Sequence, residues 1–509
     1  MTTMLFRRLA LSSLAAAAAF LPCTLPASAQ GVASTELQSY FHSVLAGNEA
    51  TLTADRVLSQ SEIADAAKEV WQAWVDANNN FEEEKLPDLQ SLYSVTAGSW
   101  QLPADLEANA VMPFYYGAKD ITQKPADGFP LFLSLHGSGA KNAEWGNGLL
   151  LAQKNEDAPS AYFIPQIPNE ENYRWYQRSK LWAWKKLLRQ AFVSGDINPA
   201  AIYFIGISEG AYGSQRLASF LGDYLAGAGP MAGGEPLKNA PAENCCNLAF
   251  NLKTGANDGG FYRNTLTEYT RQALDKLETD NPGYFVHDVQ LLDGYAHVIP
   301  YNKTTPWLLG YKRNAAPKKV MWENFNMDGE RRNGYYNILL EEDPLSPASL
   351  NRSFYTLDID NDNNVALTSQ RVYYSTIETL EGIATRFVKT YQKMQQGVVR
   401  LFFDERLVDM TKPVKITVNG TLYFDGLLTC RLSDIAESLA AFGDPLRIFP
   451  ASVTLNLAEV PSGINEIAKE DRQADNEDNI LYDLQGRRVT VPQHGIYINK
   501  AGKRIIVNK

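Results

Sequence analysis

Between residues 95 and 315 short apolar runs alternate with stretches whose apolar positions recur every three or four residues. Leu131–Leu135, Ala161–Ile164, Ala201–Ile207, Asn247–Leu252 and Phe285–Leu292 read as buried strands. Leu181–Phe192, a run from Ala211, and Arg263 to Leu277 read as helices between them. Strands separated by helices predict a parallel sheet covered on both faces. Before this region, Ser59 and Glu62 have capping-box spacing, and Ile63, Ala66, Val70 and Trp74 follow at helical intervals. Ala77 to Glu84 is polar and acidic and predicts a loop. After it, strand signals dominate. Val398–Phe403 is apolar, and Val414, Ile416 and Val418 alternate with Lys415 and Thr417 ahead of the hairpin dipeptide Asn419-Gly420. Leu432–Phe442 predicts a short helix and Ser452–Leu457 a last strand.

The two ends differ from the middle. Arg7 and Arg8, the apolar stretch Leu9 to Leu21 and the small residues Ala27-Ser28-Ala29 have the order of a cleavable targeting signal. No later segment offers eighteen consecutive apolar residues, so no membrane span is expected beyond it. The expected organisation is therefore a signal segment at 1–29, a helical region at 30–94, an α/β unit at 95–315, and a small β-rich, sandwich-like unit at 316–458. An acidic linker at 459–480 and a tail at 481–509 complete it. Without its signal the chain is expected to be secreted, cell-surface or periplasmic.

Composition narrows the function classes. At 509 residues, length alone suggests about three or four folding units. The chain is 45% apolar and 21% charged, which is globular, and its net charge of −11 argues against a nucleic-acid partner. Cys245, Cys246 and Cys430 form no disulfide framework or metal spacing, so neither a metal nor a cofactor is expected. Asp358, Asp360, Asp362 and Asn364 alternate like the start of a calcium loop, but Asn363 and Ser369 stand where that loop requires Gly and Glu. A polar hairpin turn is expected there.

Gly206-Ile207-Ser208-Glu209-Gly210 matches G-x-S-x-G. Residue frequencies alone would produce such a pattern in roughly one chain in six of this length, so its context carries the argument. A clean apolar strand precedes it and a helical run follows, the strand–turn–helix setting of a nucleophile elbow. A serine hydroxyl needs a base. Of the five histidines, His297 alone follows a late strand, in the loop Asp293-Gly294-Tyr295-Ala296-His297. The orienting acid is expected to be Asp258, just after the strand Asn247–Leu252, with Asp293 as its rival. The oxyanion would be held by the amide of Glu209 and one from His136-Gly137-Ser138-Gly139, with Ser138 favoured over Gly137 and Gly139. Trp145, Trp175, Tyr176 and Tyr212 are candidates for lining a substrate pocket, with Tyr173 beside them.

These motifs, in the order Ser208, Asp258, His297, resemble α/β-hydrolases of the secreted esterase, polyhydroxybutyrate-depolymerase-like and prolyl-oligopeptidase-like group over about 105–315. The resemblance implies a serine esterase with a small-molecule or polysaccharide ester as substrate. A serine peptidase of the prolyl-oligopeptidase-like group, or a non-catalytic polysaccharide-binding surface protein, are the alternatives. The segment Val414–Pro450 resembles a β-domain that follows such hydrolases in some secreted proteins. The tail, with Tyr482-Asp483-Leu484-Gln485-Gly486 and Gly495-Ile496-Tyr497-Ile498, resembles C-terminal sorting segments of the type IX export route. That implies export machinery as a partner; a plain β-appendage is the other reading.

Overall fold

The computed structural model describes residues 28–53 and 55–460, with four short strands between 481 and 507. Most of the expected signal segment and linker lies outside the described residues. Two helices come first, α1 (Ser28–Leu45) and α2 (Ile63–Asn80). The Ser59 hydroxyl and amide both donate to the Glu62 carboxylate, at 2.6 and 2.8 Å, fixing the turn into α2. The loop expected from Ala77 does not begin there. The helix runs on to Asn80 because Ala77 and Asn78 are buried and the Asn78 amide bonds the Trp74 carbonyl.

The main sheet has nine strands: β1 (Gln90–Ser91), β2 (Gly98–Gln101), β3 (Val111–Lys119), β4 (Phe129–Leu135), β5 (Ser160–Pro165), β6 (Ile197–Ile207), β7 (Gly227–Met231), β8 (Ala249–Gly255) and β9 (His287–Leu292). Their order is β1-β3-β5-β4-β6-β7-β8-β9, with β2 on β3. β4 to β9 pair in parallel, whereas β3 runs antiparallel to β2 and β5. Interleaved are α3 (Lys141–Lys154), α4 (Arg178–Ser194), α5 (Glu209–Leu221), α6 (Arg263–Asp280) and α7 (Thr304–Leu308). Strand alternation distributes the cores. Leu131, Leu133, Leu135, Ile202 and Phe204 pack with α4 and α5, while Phe132, Tyr203 and Ile205 pack on the opposite face with Ala152 of α3 and Leu308 of α7. This is the expected α/β sheet with helices on both faces.

β7 has little apolar pattern to announce it. Its glycines are dictated by neighbours: a Cβ on Gly229 would sit 2.4 Å from a Thr304 methyl of α7.

The β-rich part holds two sheets. One contains β10 (Lys319–Asn324), β13 (Arg352–Ile359), β14 (Asn364–Leu380), β15 (Ile383–Lys393), β17 (Val414–Val418) and β18 (Thr421–Gly426). The other contains β11 (Gly334–Tyr335), β12 (Ile338–Glu342), β16 (Val398–Phe403) and β19 (Ala451–Asn456). They share one apolar core, so the layers form a sandwich. The calcium-like stretch is the β13–β14 turn, where the Asp360 carboxylate accepts the amides of Asp362 and Asn364 at 2.8 and 2.9 Å. Helix α8 (Leu432–Phe442) packs on α1 and α2 through Leu432, Ile435, Ala436 and Leu439. In the tail, β20 (Leu481–Tyr482), β21 (Arg488–Val489), β22 (Gly495–Asn499) and β23 (Arg504–Val507) form an antiparallel sheet in the order β21-β20-β22-β23. Among the described residues no helix is long and apolar enough to cross a membrane, and no group of three His, Cys, Asp or Glu could hold a metal ion. All three cysteines there are free.

A buried charge cluster joins the two main parts. Arg313 grips Asp444 with two bonds of 2.6 and 3.0 Å, and Arg332 grips Asp223 with two of 3.0 and 2.8 Å. Arg447 bridges both aspartates, at 2.5 and 2.8 Å. Burial disfavours the Asp444 charge, but Arg313 and Arg447 outweigh it and hold the carboxyl down at about 2. Asp444→Asn is expected to cost about 3–5 kcal/mol near neutral pH, since it strands buried guanidinium charge. A depressed carboxyl stabilises above its unfolded value of about 3.9 and loses that contribution as pH falls toward about 2. Urea unfolding at stepped pH should therefore show the wild-type advantage shrinking below about pH 4.

Candidate active site

The turn at Ser208 is built from close backbone approaches. β6 ends at Ile207, α5 begins at Glu209, and Ser208 between them has φ 56° and ψ −112°. A non-glycine residue there is strained and must be held by its surroundings. Its amide donates to the Met231 carbonyl at 3.0 Å, and its carbonyl accepts from Ala211 at 2.9 Å. A Cβ on Gly206 would lie 2.1 Å from the Gly210 oxygen, and one on Gly210 would lie 2.1 Å from the Leu135 oxygen. Both positions of the motif that flank Ser208 thus exclude any side chain.

His297 stands in the loop after β9. Its Nε2 lies 3.0 Å from Ser208 Oγ and its Nδ1 lies 2.8 Å from Asp258 Oδ2. Asp258 is buried at the end of the loop after β8, while His297 is half exposed. The other Asp258 oxygen accepts from Arg263 Nη1 at 3.0 Å, and Arg263 Nε donates to the Tyr212 hydroxyl at 2.7 Å. The sequence reading missed Arg263. A cation in the first turn of α6 opposes the helix dipole, and that local conflict was its signal.

Glu209 opens α5, so its N–H has no partner inside the helix and is available beside Ser208. Ser138 lines the same cleft as Ser208. A Cβ built on Gly137 would lie 3.4 Å from the Ser208 Cβ, which places the Gly137 turn against the serine. The Gly137 carbonyl accepts from the Tyr173 hydroxyl, which orients this loop. His136 is internal: its Nε2 accepts from the Ile167 amide at 3.1 Å, and burial pushes its imidazole down to about 4.

The cleft at Ser208 has a volume of about 410 Å³. Tyr176 and Tyr212 line it, with Arg174, Arg216, Glu235, Phe261 and Leu266. Trp145 and Trp175 do not. Trp175 is fully buried beneath α5, where its ring lies within reach of a Cβ at Gly213 and its Nε1 donates to the His136 carbonyl at 3.0 Å. Trp145 stacks on Tyr115 with centroids 4.1 Å apart and donates to the Ile164 carbonyl at 2.9 Å. Trp175 is buried and Trp145 partly so, both spend their single N–H on backbone, and neither lines the cleft.

No family model matches the chain, and no curated protein sequence matches it. Solved structures do resemble it. A thermostable esterase is 18% identical with a TM-score of 0.35 over 44% of this chain and 64% of that one, so the chain spans less than two thirds of that esterase. A carboxylesterase from Mesorhizobium loti is 20% identical with a TM-score of 0.30 over 42% of this chain and 99% of that one. S-formylglutathione hydrolase from Staphylococcus aureus is 13% identical with a TM-score of 0.32 over 42% of this chain and 98% of that one.

The Glu209 side chain is itself unusual. It is 7% exposed, and its Oε1 makes no hydrogen bond. Burial pushes its carboxyl up to about 7, although Arg174 lies 3.3 Å away. Arg174 is half exposed, so water screens its charge, and nearby Glu235 adds repulsion. A carboxyl raised in this way binds a proton on folding between about 4.5 and 7. Stability should therefore fall as pH rises through that window. Glu209→Gln is expected to remove this slope, so thermal scans at stepped pH should show its midpoint gaining on the wild type from pH 4.5 to 7. Parallel midpoints across the window would refute the assignment.

Proposed function

We propose that this chain is an exported serine hydrolase that cleaves carboxylic esters through an acyl-enzyme. The observation carrying this reading is the continuous relay from Ser208 Oγ to His297 at 3.0 Å and on to Asp258 at 2.8 Å, at the base of an open cleft. In this reading His297 Nε2 takes the Ser208 proton as Oγ attacks the ester carbonyl. Asp258 fixes the ring tautomer and steadies the imidazolium, and Arg263 pins the far oxygen of that carboxylate. The Glu209 amide and one from Ser138 or Gly137 receive the developing oxyanion, helped by the N-terminal end of the α5 dipole. The imidazolium then gives its proton to the leaving alcohol, and water repeats the sequence to release the acid.

Esters on polysaccharides fit the cleft's lining. Tyr176 offers a ring under the Arg216 guanidinium, 3.8 Å from its centroid, and the paired Arg216 and Glu235 present planar polar groups beside it. Rings next to fixed planar hydrogen-bonding groups suit a sugar face and its hydroxyls. Export would use the signal segment at 1–29 and a sorting role for the tail at 481–509.

Ser208→Ala should lower kcat on p-nitrophenyl acetate by roughly a millionfold, and His297→Ala by a similar factor. Asp258→Asn should retain more activity, with a loss nearer ten-thousandfold. A fluorophosphonate probe, read by peptide mass mapping, should label Ser208 in the wild type and nothing in Ser208→Ala. Labelling of another serine, with ester turnover intact in Ser208→Ala, would sink this assignment. A panel of acetylated sugars, feruloyl esters and proline peptides would then separate polysaccharide esters from peptides as substrates.

A further inference from the structure

One side of the cleft comes from the β-sandwich. β13 pairs with β14 only as far as Val372. Beyond it, Tyr373–Leu380 and Ile383–Thr390 continue as a two-stranded arm, about 25 Å long at the usual rise per residue. Its tip is a two-residue turn in which Glu381 and Gly382 both have positive φ, 45° and 83°. Such a ribbon is marginal alone in water, so its position depends on anchors. At its root, Lys389 bonds Glu243 and Glu323 at 2.8 Å each, and Tyr374 donates to Glu323 at 2.6 Å. Further along, Tyr269 of α6 donates to Glu378 at 2.9 Å, and the Arg386 guanidinium lies 5.4 Å from the Tyr269 ring centroid. At the tip, Glu381 meets the Tyr262 hydroxyl. The arm therefore lies along the unit that carries Ser208 and ends beside the loop that carries Asp258.

Ile383, the first residue after the tip, lines the same cleft as Ser208. The same lining includes the apolar side chains of Phe261 and Leu266. Phe261 is 72% exposed and is held at φ 52°, with Tyr262 following at φ 58°. Two successive strained residues put a large ring in water at a cleft that an isoleucine from another sheet also lines. The cationic side chains of the lining each have a carboxylate partner: Arg174 with Glu209, Arg216 with Glu235, and Arg263 with Asp258. The lining thus combines paired charges with apolar side chains, and one of the latter, Ile383, is supplied by the arm.

We propose that the β14–β15 arm is a specificity wall and that Ile383 selects esters carrying a ring-sized or branched apolar group on the flank facing Phe261. This rests on the serine-hydrolase reading of Ser208. Three variants test it: Ile383→Ala, Ile383→Asp, and a cut-back arm in which Ser375 is joined to Val388 through Asn-Gly. Ser375 and Val388 are cross-strand partners, so a two-residue turn can close them. kcat/KM is measured in two series, p-nitrophenyl acetate against p-nitrophenyl 3-phenylpropionate, and methyl acetate against 2-phenylethyl acetate. The first varies the acyl group and the second the alcohol. Losing one wall of an apolar pocket should reduce the large-to-small preference about tenfold or more in one series, mainly through KM. Ile383→Asp should exceed Ile383→Ala, with circular dichroism melting confirming that the point variants stay folded. An equal loss on every ester would make the arm a brace for the Asp258 loop and overturn the selection role, as would an unchanged preference in both series. A wild type inert toward all four esters and toward a fluorophosphonate would overturn the hydrolase reading, and the specificity wall with it.

Discussion

Five charged side chains sealed between two sheets govern how this molecule is put together. Asp223 follows α5 and Arg313 follows α7, so both belong to the α/β part, whereas Arg332, Asp444 and Arg447 belong to the β-rich part. None can ionise alone in that environment without a large desolvation penalty, so each half of the molecule completes the other's charge balance. Arg447 also lies 4.1 Å from the Tyr224 ring centroid, while the Tyr224 hydroxyl bonds the Phe442 carbonyl at 2.7 Å. A hydrophobic interface tolerates sliding, but paired guanidiniums and carboxylates in fork geometry do not. That fixed orientation is what lets an arm rooted in the sandwich end at the Ser208 cleft.

The N-terminal helices reinforce the same arrangement from the other end. α2 rests on α8, and Asp55 accepts from Arg431 just before α8 at 2.9 Å. Helices early in the described chain are therefore stabilised by residues far along it. They contribute nothing to the lining of the Ser208 cleft, to which the β14–β15 arm adds Ile383.

Within the site, strain and burial are concentrated where the proposed chemistry needs them. Ser208, Phe261 and Tyr262 all occupy left-handed backbone, and Glu209 holds a buried oxygen with no partner. Such features lower stability and persist because the elbow glycines, β7 and α5 leave the backbone no alternative. Arg263 ties the loop after β8 to α5 by bonding both Asp258 and Tyr212.

Strong local patterns made much of this legible in the sequence. The strand before Ser208, the glycines around it, and the Asn419-Gly420 turn are short-range constraints, written in neighbouring residues. The order of Ser208, Asp258 and His297 after β6, β8 and β9 was readable too, because a parallel sheet puts the ends of its strands on one edge. Other features had no local signature. β7 is glycine-rich because α7 presses on it, α2 runs through a polar stretch because Arg189 and a buried face hold it, and Trp175 is core because Gly213 makes room for it. The sequence by itself determined most of the elements and the order of Ser208, Asp258 and His297 along them, since these follow from periodicity and turn geometry. Only the tertiary structure decided which aromatic side chains reach the cleft, that Arg263 ties Asp258 to Tyr212 of α5, and that Ile383 lines the same cleft as Ser208. The last of these joins segments far apart in the chain, and no local pattern encodes it.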